Sequence, residues 1–466
     1  MEKLSKVFAA NERIERVVLY GSRAKGNYKP FSDVDITLEG AELTHTDLNR
    51  ISLAIDDLLL PYQFDISIFY TLKNEALIDH IRRMGITIYE KKSEWKEYKL
   101  EEIAEILDYK RRPLSSMERS KRKGKYPYYG ASGIIDTIDD YIFEGEHVLI
   151  SEDGENLRTR QTPIAFLADG QFWVNNHAHI VKSDWLHNRL ICYYFANLDL
   201  NPYITGAVQP KLSQESLNRI PLLLPESTEE RKRIVSILSS LDDKIDLLHR
   251  ENATLEKMAE TLFRQWFVVE AKEEWEEGKL GDILTVKGGT TPSTKEPSFW
   301  DGDIAWTSPR DVTTLNGLYL FETEKRITQK GLEQISSGLL PSGTLLMSSR
   351  APVGVLAFAE IPLAINQGYI AILDDNGYSK EFVYLWLKTN MDVVHSYSNG
   401  STFMEISKSA FKSLDIVIPP KEEVGIFVEK IKPYFEKIRM NEIQISTLIQ
   451  TRDGLLPRLM SGDVKM

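Results

Sequence analysis

The sequence predicts a multidomain protein of the α/β and α+β classes. We expect a small α/β head, then two similar mixed α/β domains separated by an antiparallel pair of long coiled-coil helices. Three observations carry this prediction. Segments of the chain recur at a shift of about 180 to 194 residues, each copy runs into a heptad-like segment, and residues 1–92 have no counterpart in the duplication. A chain of 466 residues favours two to four domains.

Composition and charge narrow the class of protein. Hydrophobic residues make up 42% and charged residues 27%, an ordinary globular balance. The single cysteine, Cys192, excludes a disulfide framework and indicates a reducing compartment, so we expect a cytoplasmic protein. No run of about 18 apolar residues occurs, so no membrane span is expected. The net charge of −12 argues against a chain coated in nucleic acid, although charge can be local.

The head (residues 1–92) begins with a strand pattern and a turn. RVVLY at 16–20 predicts a strand, and Gly21-Ser22 turns out of it into a short helix. Glycine lets the backbone approach a phosphate closely, and Ser22 with nearby N–H groups would then hold it. This end of the head is therefore a candidate nucleotide-binding site.

Three acids follow on the next two predicted strands of the head. Asp33 and Asp35 are two residues apart on one strand and so point the same way, and Asp65 lies in FDISIF at 64–69. Neighbouring carboxylates repel each other unless a cation lies between them, and Mg²⁺ prefers oxygen ligands. The three acids are therefore candidate metal ligands.

Gly21-Ser22, ten residues and then Asp33-x-Asp35 resembles the signature of the minimal nucleotidyltransferases of the polymerase β-like superfamily. The resemblance implies that Asp33 and Asp35 bind Mg²⁺, and that Asp65 binds metal and activates the attacking hydroxyl. The implied reaction transfers a nucleotide from an NTP, with pyrophosphate leaving. Minimal relatives often act with a separate partner such as a HEPN-type toxin. The alternative is a relic that serves as a docking module.

The rest of the chain contains two copies of one unit. Residues 95–100 (WKEYKL) recur at 275–280 (WEEGKL), residues 176–180 match 366–370, and GAVQPKLS at 206–213 matches GSTFMEIS at 400–407. We place a first repeat domain at 95–228 and a second repeat domain at 275–420. Short apolar runs between turn residues predict strands, and WLHNRLICYYFANL and SKEFVYLWLKTNM predict one helix in each domain.

A long helical segment follows each repeat domain, at 229–270 and 421–462. The first has heptad spacing throughout and contains one polar seam residue, Asn252, which can fix register at a cost in stability. In the second, Glu442 and Arg452 interrupt the seam and Pro433 is a possible kink. We expect the helices to pair antiparallel; the alternative is that each packs on its own domain. The predicted seams are Ile234, Leu238, Leu241, Ile245, Leu248, Asn252, Leu255, Ala259, Leu262 and Trp266, and Val428, Ile431, Phe435, Ile438, Ile445, Ile449 and Leu456.

Two similar but non-identical domains on a rigid spacer suit an asymmetric, split target on double-stranded DNA, because half-sites recur about 34–36 Å apart per turn. A basic segment at 110–125 (KRRPLSSMERSKRKGK) has eight Lys/Arg and one Glu, which would neutralise phosphates. Polar loop residues are the usual readers of bases. The candidate DNA contacts are Lys110, Arg111, Arg112, Lys121, Arg122, Lys123, Gln209, Lys211, Thr307, Ser308, Arg310, Ser401 and Thr402.

Residues 95 to 466 resemble the specificity subunits of type I restriction–modification systems, in the WxxxKL openings, YYGASGII (128–135), residues 219–268 and LLPRLMSG (455–462). The resemblance implies that the two repeat domains are target-recognition domains, with no catalysis and no cofactor. It also implies that two methyltransferase subunits dock on the chain and allow recruitment of ATP-driven restriction subunits. The chain has no GxxxxGK[ST] phosphate loop, so it is not the motor.

Two alternatives remain open. His177 and His179, two apart on a predicted strand, are possible metal ligands. A packing or polar-network role is favoured, because Gln367 and Tyr369 stand at the matching places and no cysteine is near. For the whole chain, the second hypothesis is a nucleotidyltransferase of a toxin–antitoxin or defence module, with the remainder as its targeting arm.

Overall fold

The computed structural model describes residues 2–29, 31–40, 43–91, 94–206, 208–373, 377–398 and 404–462. The chain divides into two compact units, Met1–Arg233 with Met460–Met466, and Ile234–Leu459. In the described ranges, no helix combines the length and the apolar character needed to cross a membrane.

The head is a four-stranded sheet with helices on both faces. Its strands are β1 (Arg16–Leu19), β2 (Val34–Glu39), β3 (Phe64–Ile68) and β4 (Ile86–Glu90), and its helices are α1 (Glu2–Ala9), α2 (Gly21–Ala24), α3 (His45–Asp56) and α4 (Glu75–Met84). The strand order is β3-β2-β1-β4, and only β2 and β3 are parallel. This confirms the strand at 16–20 and the short helix opened by Gly21.

Side chains that alternate along β1 separate the two faces of the head. Val17 packs with buried residues of α1 and α3, whereas its neighbour Val18 packs with Tyr20 and Ile81 of α4. Helix α3 begins at a capping box, in which the hydroxyl of Thr44 and the carboxylate of Asp47 each accept from the other residue's backbone. A layered α/β core of this kind holds the ends of β2 and β3 in fixed positions.

The first repeat domain is built from three small sheets. Its strands are β5 (Trp95–Tyr98), β6 (Glu105–Ile106), β7 (Lys123–Gly130), β8 (Gly133–Ile138), β9 (Phe143–Glu144), β10 (His147–Ser151), β11 (Ala165–Ala168), β12 (Gln171–Val174), β13 (Ala178–Lys182) and β14 (Leu222–Pro225). The helices are α5 (Leu100–Ile103), α6 (Ser116–Lys121), α7 (Asn156–Thr159), α8 (Trp185–Asn197) and α9 (Gln214–Asn218). The sheet orders are β11-β10-β13-β6, β8-β7-β12-β9 and β14-β5. Helix α8 confirms the predicted WLHNRLICYYFANL helix.

Contacts within the first unit join the head, the first repeat domain and the chain end. Helix α10 (Thr228–Arg264) begins in this unit, and its Arg233 forms an ion pair with Glu90 of β4. The backbone N–H of Glu226 donates to the carbonyl of Glu94 at 2.8 Å, beside the β5–β14 pair. A methyl group added to Gly462 would lie 2.7 Å from Nε1 of Trp95, so Gly462 lies against the start of the first repeat domain.

The second repeat domain has three sheets that correspond to those of the first, with five, three and two strands instead of four, four and two. Its strands are β15 (Glu276–Lys279), β16 (Thr285–Lys287), β17 (Trp300–Thr307), β18 (Tyr319–Leu320), β19 (Lys325–Ile327), β20 (Leu345–Ser348), β21 (Leu356–Ala359), β22 (Leu363–Ile365), β23 (Tyr369–Leu373) and β24 (Asp415–Ile418). The helices are α11 (Leu280–Ile283), α12 (Pro309–Thr313), α13 (Gln329–Leu332), α14 (Lys380–Thr389), α15 (Met391–Ser396) and α16 (Lys408–Lys412). The sheet orders are β16-β23-β20-β21-β18, β19-β17-β22 and β15-β24, so the duplication is present in the fold, and α14 confirms the predicted SKEFVYLWLKTNM helix.

The structure shifts one part of the repeat alignment by one residue. Ser151 pairs with Ala178 across β10 and β13, and Ser348 pairs with Tyr369 across β20 and β23. Ser151 and Ser348 occupy the same position in the two domains, so Tyr369 corresponds to Ala178. Ile370, rather than Tyr369, therefore corresponds to His179. The predicted match of 176–180 to 366–370 was wrong by one residue because it aligned letters and not pairing register.

Helix α17 (Lys421–Met460) lies antiparallel to α10 within the second unit. Three contacts between the helices show this direction: Asp242 contacts Arg452, Asn252 contacts Asn441, and Phe263 contacts Phe427. As the residue number rises along α10, the number of the contacting residue on α17 falls. This confirms the predicted pairing of the long helices. Helix α17 continues through Pro433 as one helix.

Candidate functional site

The three candidate acids of the head lie at one end of the parallel β2–β3 pair. Asp35 is directly opposite Asp65 in the strand register, and Asp33 immediately precedes β2. Asp35 is half-buried, whereas Asp33 and Asp65 are exposed. The structure therefore groups the three acids as the spacing indicated.

The electrostatics of Asp35 reflect this grouping. Burial raises the pKa of the Asp35 carboxyl, and the negative charges of Asp65 and Asp33 raise it further, while Arg23 opposes them. Burial also raises the pKa of Tyr20, whose phenol is near the same acids. A carboxylate disfavoured in this way is stabilised by any cation that reaches it.

Gly21 makes room for Asp35. Its φ is +74°, a conformation that favours glycine, and a Cβ built on it would overlap Oδ2 of Asp35. The backbone N–H of Tyr20 donates to the carbonyl of Asp35 at 2.9 Å, which fixes the two segments side by side. Only glycine at position 21 allows α2, with Ser22, to start against the acid.

Sequence reasoning missed Arg23, which organises the segment before β2. Its guanidinium donates to the carbonyl of Ser32 at 2.7 Å and to that of Asp33 at 3.2 Å. It also lies 4.9 Å from the ring centre of Tyr28 and 4.8 Å from that of Tyr62. The signal was its position directly after Gly21-Ser22.

Mg²⁺ prefers oxygen ligands such as carboxylates. The three acids of the head, with the backbone of Gly21 beside them, therefore fit such an ion. Among the described residues, however, Asp33, Asp35 and Asp65 do not bring one oxygen each within 4.8 Å of one another. Binding of an ion would draw the carboxylates together.

A second group of ionisable side chains lies in the first repeat domain. Asp108, Glu152 and His179 bring one ligand atom each within 4.8 Å of one another and are largely buried. Nδ1 of His179 is 2.5 Å from Oδ2 of Asp108, and its Nε2 donates to the carbonyl of Leu212 at 2.8 Å. His177 pairs with Asp153 at 2.8 Å, so both histidines lie in polar networks.

Two cations complete this group: Arg111, which is largely buried, and Lys211, whose side chain is 52% exposed. We call the five residues the buried charge network (Asp108, Arg111, Glu152, His179 and Lys211). Arg111 contacts Glu152 at 2.5 Å and Asp108 at 3.3 Å, and Lys211 contacts Glu152 at 3.2 Å. The two carboxylates are thus matched by two side-chain cations. Arg111 and Lys211, proposed from the sequence as DNA contacts, are engaged within the domain.

The basic segment is only partly available to a ligand. Arg122 contacts Asp139 at 2.8 Å and Lys123 contacts Asp136 at 2.5 Å. Lys110, Arg112 and Lys121 are exposed, and no carboxylate within ion-pair distance is found for them in the described ranges. Helix α6 within this segment begins at a capping box between Ser115 and Glu118. The net positive charge offered to solvent is therefore smaller than the composition suggested.

In the second repeat domain, the structure separates the candidates at 307–310. Thr307 is fully buried and shares hydrogen bonds with Tyr369 and Asp311, which does not fit the predicted contact with DNA. The hydroxyl and N–H of Ser308 bond to Asp311 as the cap of α12. Arg310 is exposed and only loosely paired, 3.9 Å from Glu324.

Gln209 is exposed on a loop of the first repeat domain that ends at Lys211. The candidates Ser401 and Thr402, on the corresponding loop of the second repeat domain, lie outside the described residues.

Two families match this chain. The family described as "Type I restriction modification DNA specificity domain" matches residues 92–257 and 272–451. The family described as "Polymerase beta, Nucleotidyltransferase" matches residues 2–94. The first match falls on both repeat domains and the long helix that follows each.

Curated relatives and a solved structure agree with the first match. The Type I restriction enzyme MjaIX specificity subunit of Methanocaldococcus jannaschii is 34% identical over 193 residues, 41% of this chain and 44% of that relative. The HindI specificity subunit of Haemophilus influenzae is 25% identical over 330 residues, 55% of this chain and 71% of that relative. The chain thus spans less than half the length of the first of these relatives. The crystal structure of a type I restriction–modification S subunit from M. genitalium shares the fold, with a TM-score of 0.50, 14% identity and coverage of 79% of this chain and 97% of that one.

Proposed function

Because this chain belongs to the family of type I restriction modification DNA specificity domains, we propose that it is the DNA sequence-specificity subunit of a type I restriction–modification complex. In this proposal the two repeat domains read the two halves of a split, asymmetric target in double-stranded DNA. Two methyltransferase subunits and the restriction subunits dock on the chain, which performs no methylation or cleavage itself. The complex acts in the cytoplasm, where the bacterial or archaeal chromosome lies.

One observation supports this proposal above the others. The specificity family matches the chain twice, in order, and the two matched segments contain three corresponding sheets. The copies differ in sequence, which supplies the asymmetry. For example, Glu152 and His179 of the buried charge network correspond to Ser349 and Ile370 in the second domain. Two similar frameworks with different side chains suit two different half-sites.

The test is sequencing of methylated bases in cells that express the chain with its methyltransferase subunit. We expect one split motif, with two specified halves and an unspecified stretch between them. Methylation without a split motif, or no methylation by a folded complex, would overturn the proposal.

We further propose that the head is a nucleotidyltransferase, supported by the family match and by the grouping of its acids. Asp33, Asp35 and Asp65 would hold Mg²⁺, which supplies positive charge for the triphosphate of an NTP. Asp65 would also accept the proton of the attacking hydroxyl, and Gly21 and Ser22 would hold the leaving pyrophosphate through backbone and hydroxyl donors. A HEPN-type protein is the proposed partner and acceptor.

The test of the head uses the whole complex, Mg²⁺ and a radiolabelled NTP with candidate acceptor proteins. Label transferred by the wild type and not by the Asp35→Asn variant supports the proposal. Equal labelling by both proteins, or none with any nucleotide and acceptor, would contradict it.

A further inference from the structure

The first repeat domain has a short loop whose two ends are tied together, which we call the 205–211 hairpin. Thr205 and Lys211 exchange two backbone hydrogen bonds, each 2.8 Å long. Gly206 has a φ of +86°, and a Cβ there would overlap the carbonyl oxygen of Gln209, so the turn is tight. The two ends of the hairpin are therefore held close together; Ala207, between Gly206 and Val208, lies outside the described residues.

Contacts from other segments fix the base of this hairpin. Arg158 donates to the carbonyl of Gly206 at 3.0 Å, and the N–H of Gly154 donates to the carbonyl of Pro210 at 3.1 Å. The N–H of Leu212 donates to the carbonyl of Glu152 at 2.7 Å, and its own carbonyl accepts from His179. The hairpin is therefore held from β13, from the segment after β10 and from α7.

The buried charge network also helps to hold the base of the hairpin. Glu152 holds Lys211 of the hairpin, while His179, anchored by Asp108, holds Leu212 directly after it. Burying charges in a protein opposes folding unless they are well paired. Here the carboxylates of Asp108 and Glu152 are paired with Arg111, His179 and Lys211.

The second repeat domain shows that the fold itself does not need this network. There the N–H of Ile406 donates to the carbonyl of Ser349 at 3.0 Å, which repeats the Leu212–Glu152 backbone bond with a serine in place of Glu152. The position of His179 is occupied by Ile370. The network is therefore an addition at one loop of one domain, and its effect is to hold that loop.

The tip of the hairpin displays an apolar side chain beside an amide. Val208 is 96% exposed and Gln209 is also exposed, while Pro210 at the base is buried. In the major groove a glutamine amide matches N6 and N7 of adenine, and an apolar side chain contacts the C5 methyl of thymine. Both preferences point to the same base pair.

We propose that the 205–211 hairpin is a base-reading element of the first repeat domain that specifies an A·T pair in one half of the target. Gln209 bonds to the adenine edge, Val208 contacts the thymine methyl, and the buried charge network holds both in place. Lys211 acts as a positioning residue rather than as a contact to DNA. This inference rests on the proposed DNA-specificity function and names the residues that perform part of it.

The test compares methylation motifs of complexes carrying Gln209→Ala, Val208→Ser or the control Gln444→Ala, an exposed glutamine on α17. We expect the Gln209→Ala complex to lose discrimination at one A·T position by roughly 5- to 150-fold, the range for one good base contact. Val208→Ser weakens the same position, and Gln444→Ala leaves the motif unchanged. The other half of the motif stays intact in all three.

Three outcomes would overturn this inference alone: a wild-type split motif with no A·T pair in the half assigned to the first repeat domain, an unchanged motif in Gln209→Ala, or a uniform loss of methylation with unchanged preferences. The last would make the hairpin a docking surface for a partner protein. Absence of any split motif in the wild type would instead refute the proposed function. Matching thermal unfolding of variants and wild type excludes misfolding as the cause.

Discussion

Glu442 illustrates how a single residue of α17 serves the second repeat domain. Its carboxylate accepts from the backbone N–H of Leu318 at 2.7 Å and of Tyr319 at 2.9 Å. A Cβ on Gly317 would lie 2.7 Å from the same carboxylate, so glycine is needed there for close approach. The residue that interrupts the helical seam thus holds the start of β18.

Glu442 makes the stability of the second unit depend on pH. Burial raises its pKa from 4.5 to about 7, against the lowering effect of its two backbone hydrogen bonds. The folded state therefore binds more protons than the unfolded state between these values, and stability falls as pH rises through this window. We expect a loss of about 3 kcal/mol from pH 4.5 to above pH 7 from this group.

Urea unfolding of the wild type and of Glu442→Gln at pH 5 and pH 8 measures this effect. The variant should lose most of the difference between the two pH values, because glutamine does not titrate. An equal pH difference in both proteins would assign the effect to other groups.

The acids of the head provide a second residue-scale prediction. The double change Asp33→Asn and Asp35→Asn should abolish nucleotide transfer, because it removes the proposed metal ligands. It should leave the methylation motif and its extent unchanged, since neither residue belongs to a repeat domain. Loss of methylation in a folded double variant would show that the head takes part in DNA recognition.

Residues that act through distant partners could not be found from the sequence. Thr307 looked like an exposed loop residue, but Tyr369, far along the chain, covers it. Lys211 was a candidate contact to the bases of DNA, and its ion pair with Glu152 is likewise long-range. Asp33, Asp35 and Asp65 were predictable because strand geometry and spacing alone bring them together.

At the scale of elements, the polar positions of the long helices define their register. Asn441 is 1% exposed, and its amide donates to Oδ1 of Asn252 at 2.8 Å and to Glu251 at 3.0 Å. Arg452 contacts Asp242 at 2.9 Å across the same pair of helices. Asn252 was predicted from its heptad position, but Asn441 was not, because the second seam is irregular in sequence.

We expect Asn441→Leu to destabilise the second unit by about 1–3 kcal/mol, since it leaves the amide oxygen of Asn252 without its partner. Adding Asn252→Leu should restore part of the loss, because two apolar residues then meet. A double-mutant cycle by urea unfolding measures this coupling. Gln444→Leu on the exposed side of α17 is the control, with an effect within about 0.5 kcal/mol. Additive single effects would contradict the paired arrangement.

Whole elements were predictable wherever a local pattern was strong. The continuous heptads of residues 234–266 predicted α10 and its antiparallel pairing with a second long helix, α17. Alternating apolar residues predicted β1 to β3. The repeat match failed by one residue at β13 because short buried strands have similar letters in either register. The register of such strands is set by their pairing with neighbouring strands, and a local stretch of sequence does not contain that information.

At the scale of the molecule, two copies of one domain predict that specificity is modular. Replacing residues 95–228 with the equivalent domain of a relative should change one half of the methylation motif and leave the other intact. Replacing residues 275–420 should have the converse effect. Sequencing of methylated bases reads both results, and a change in both halves after one exchange would refute separate reading.

The closeness of Gly462 to Trp95 has a consequence for where the head is attached. Trp95 begins the first repeat domain directly after the head, and Gly462 follows α17 by two residues. The junction between the head and the first repeat domain therefore lies beside the residues that follow α17. A domain fused at that junction is attached next to two segments that are far apart along the chain.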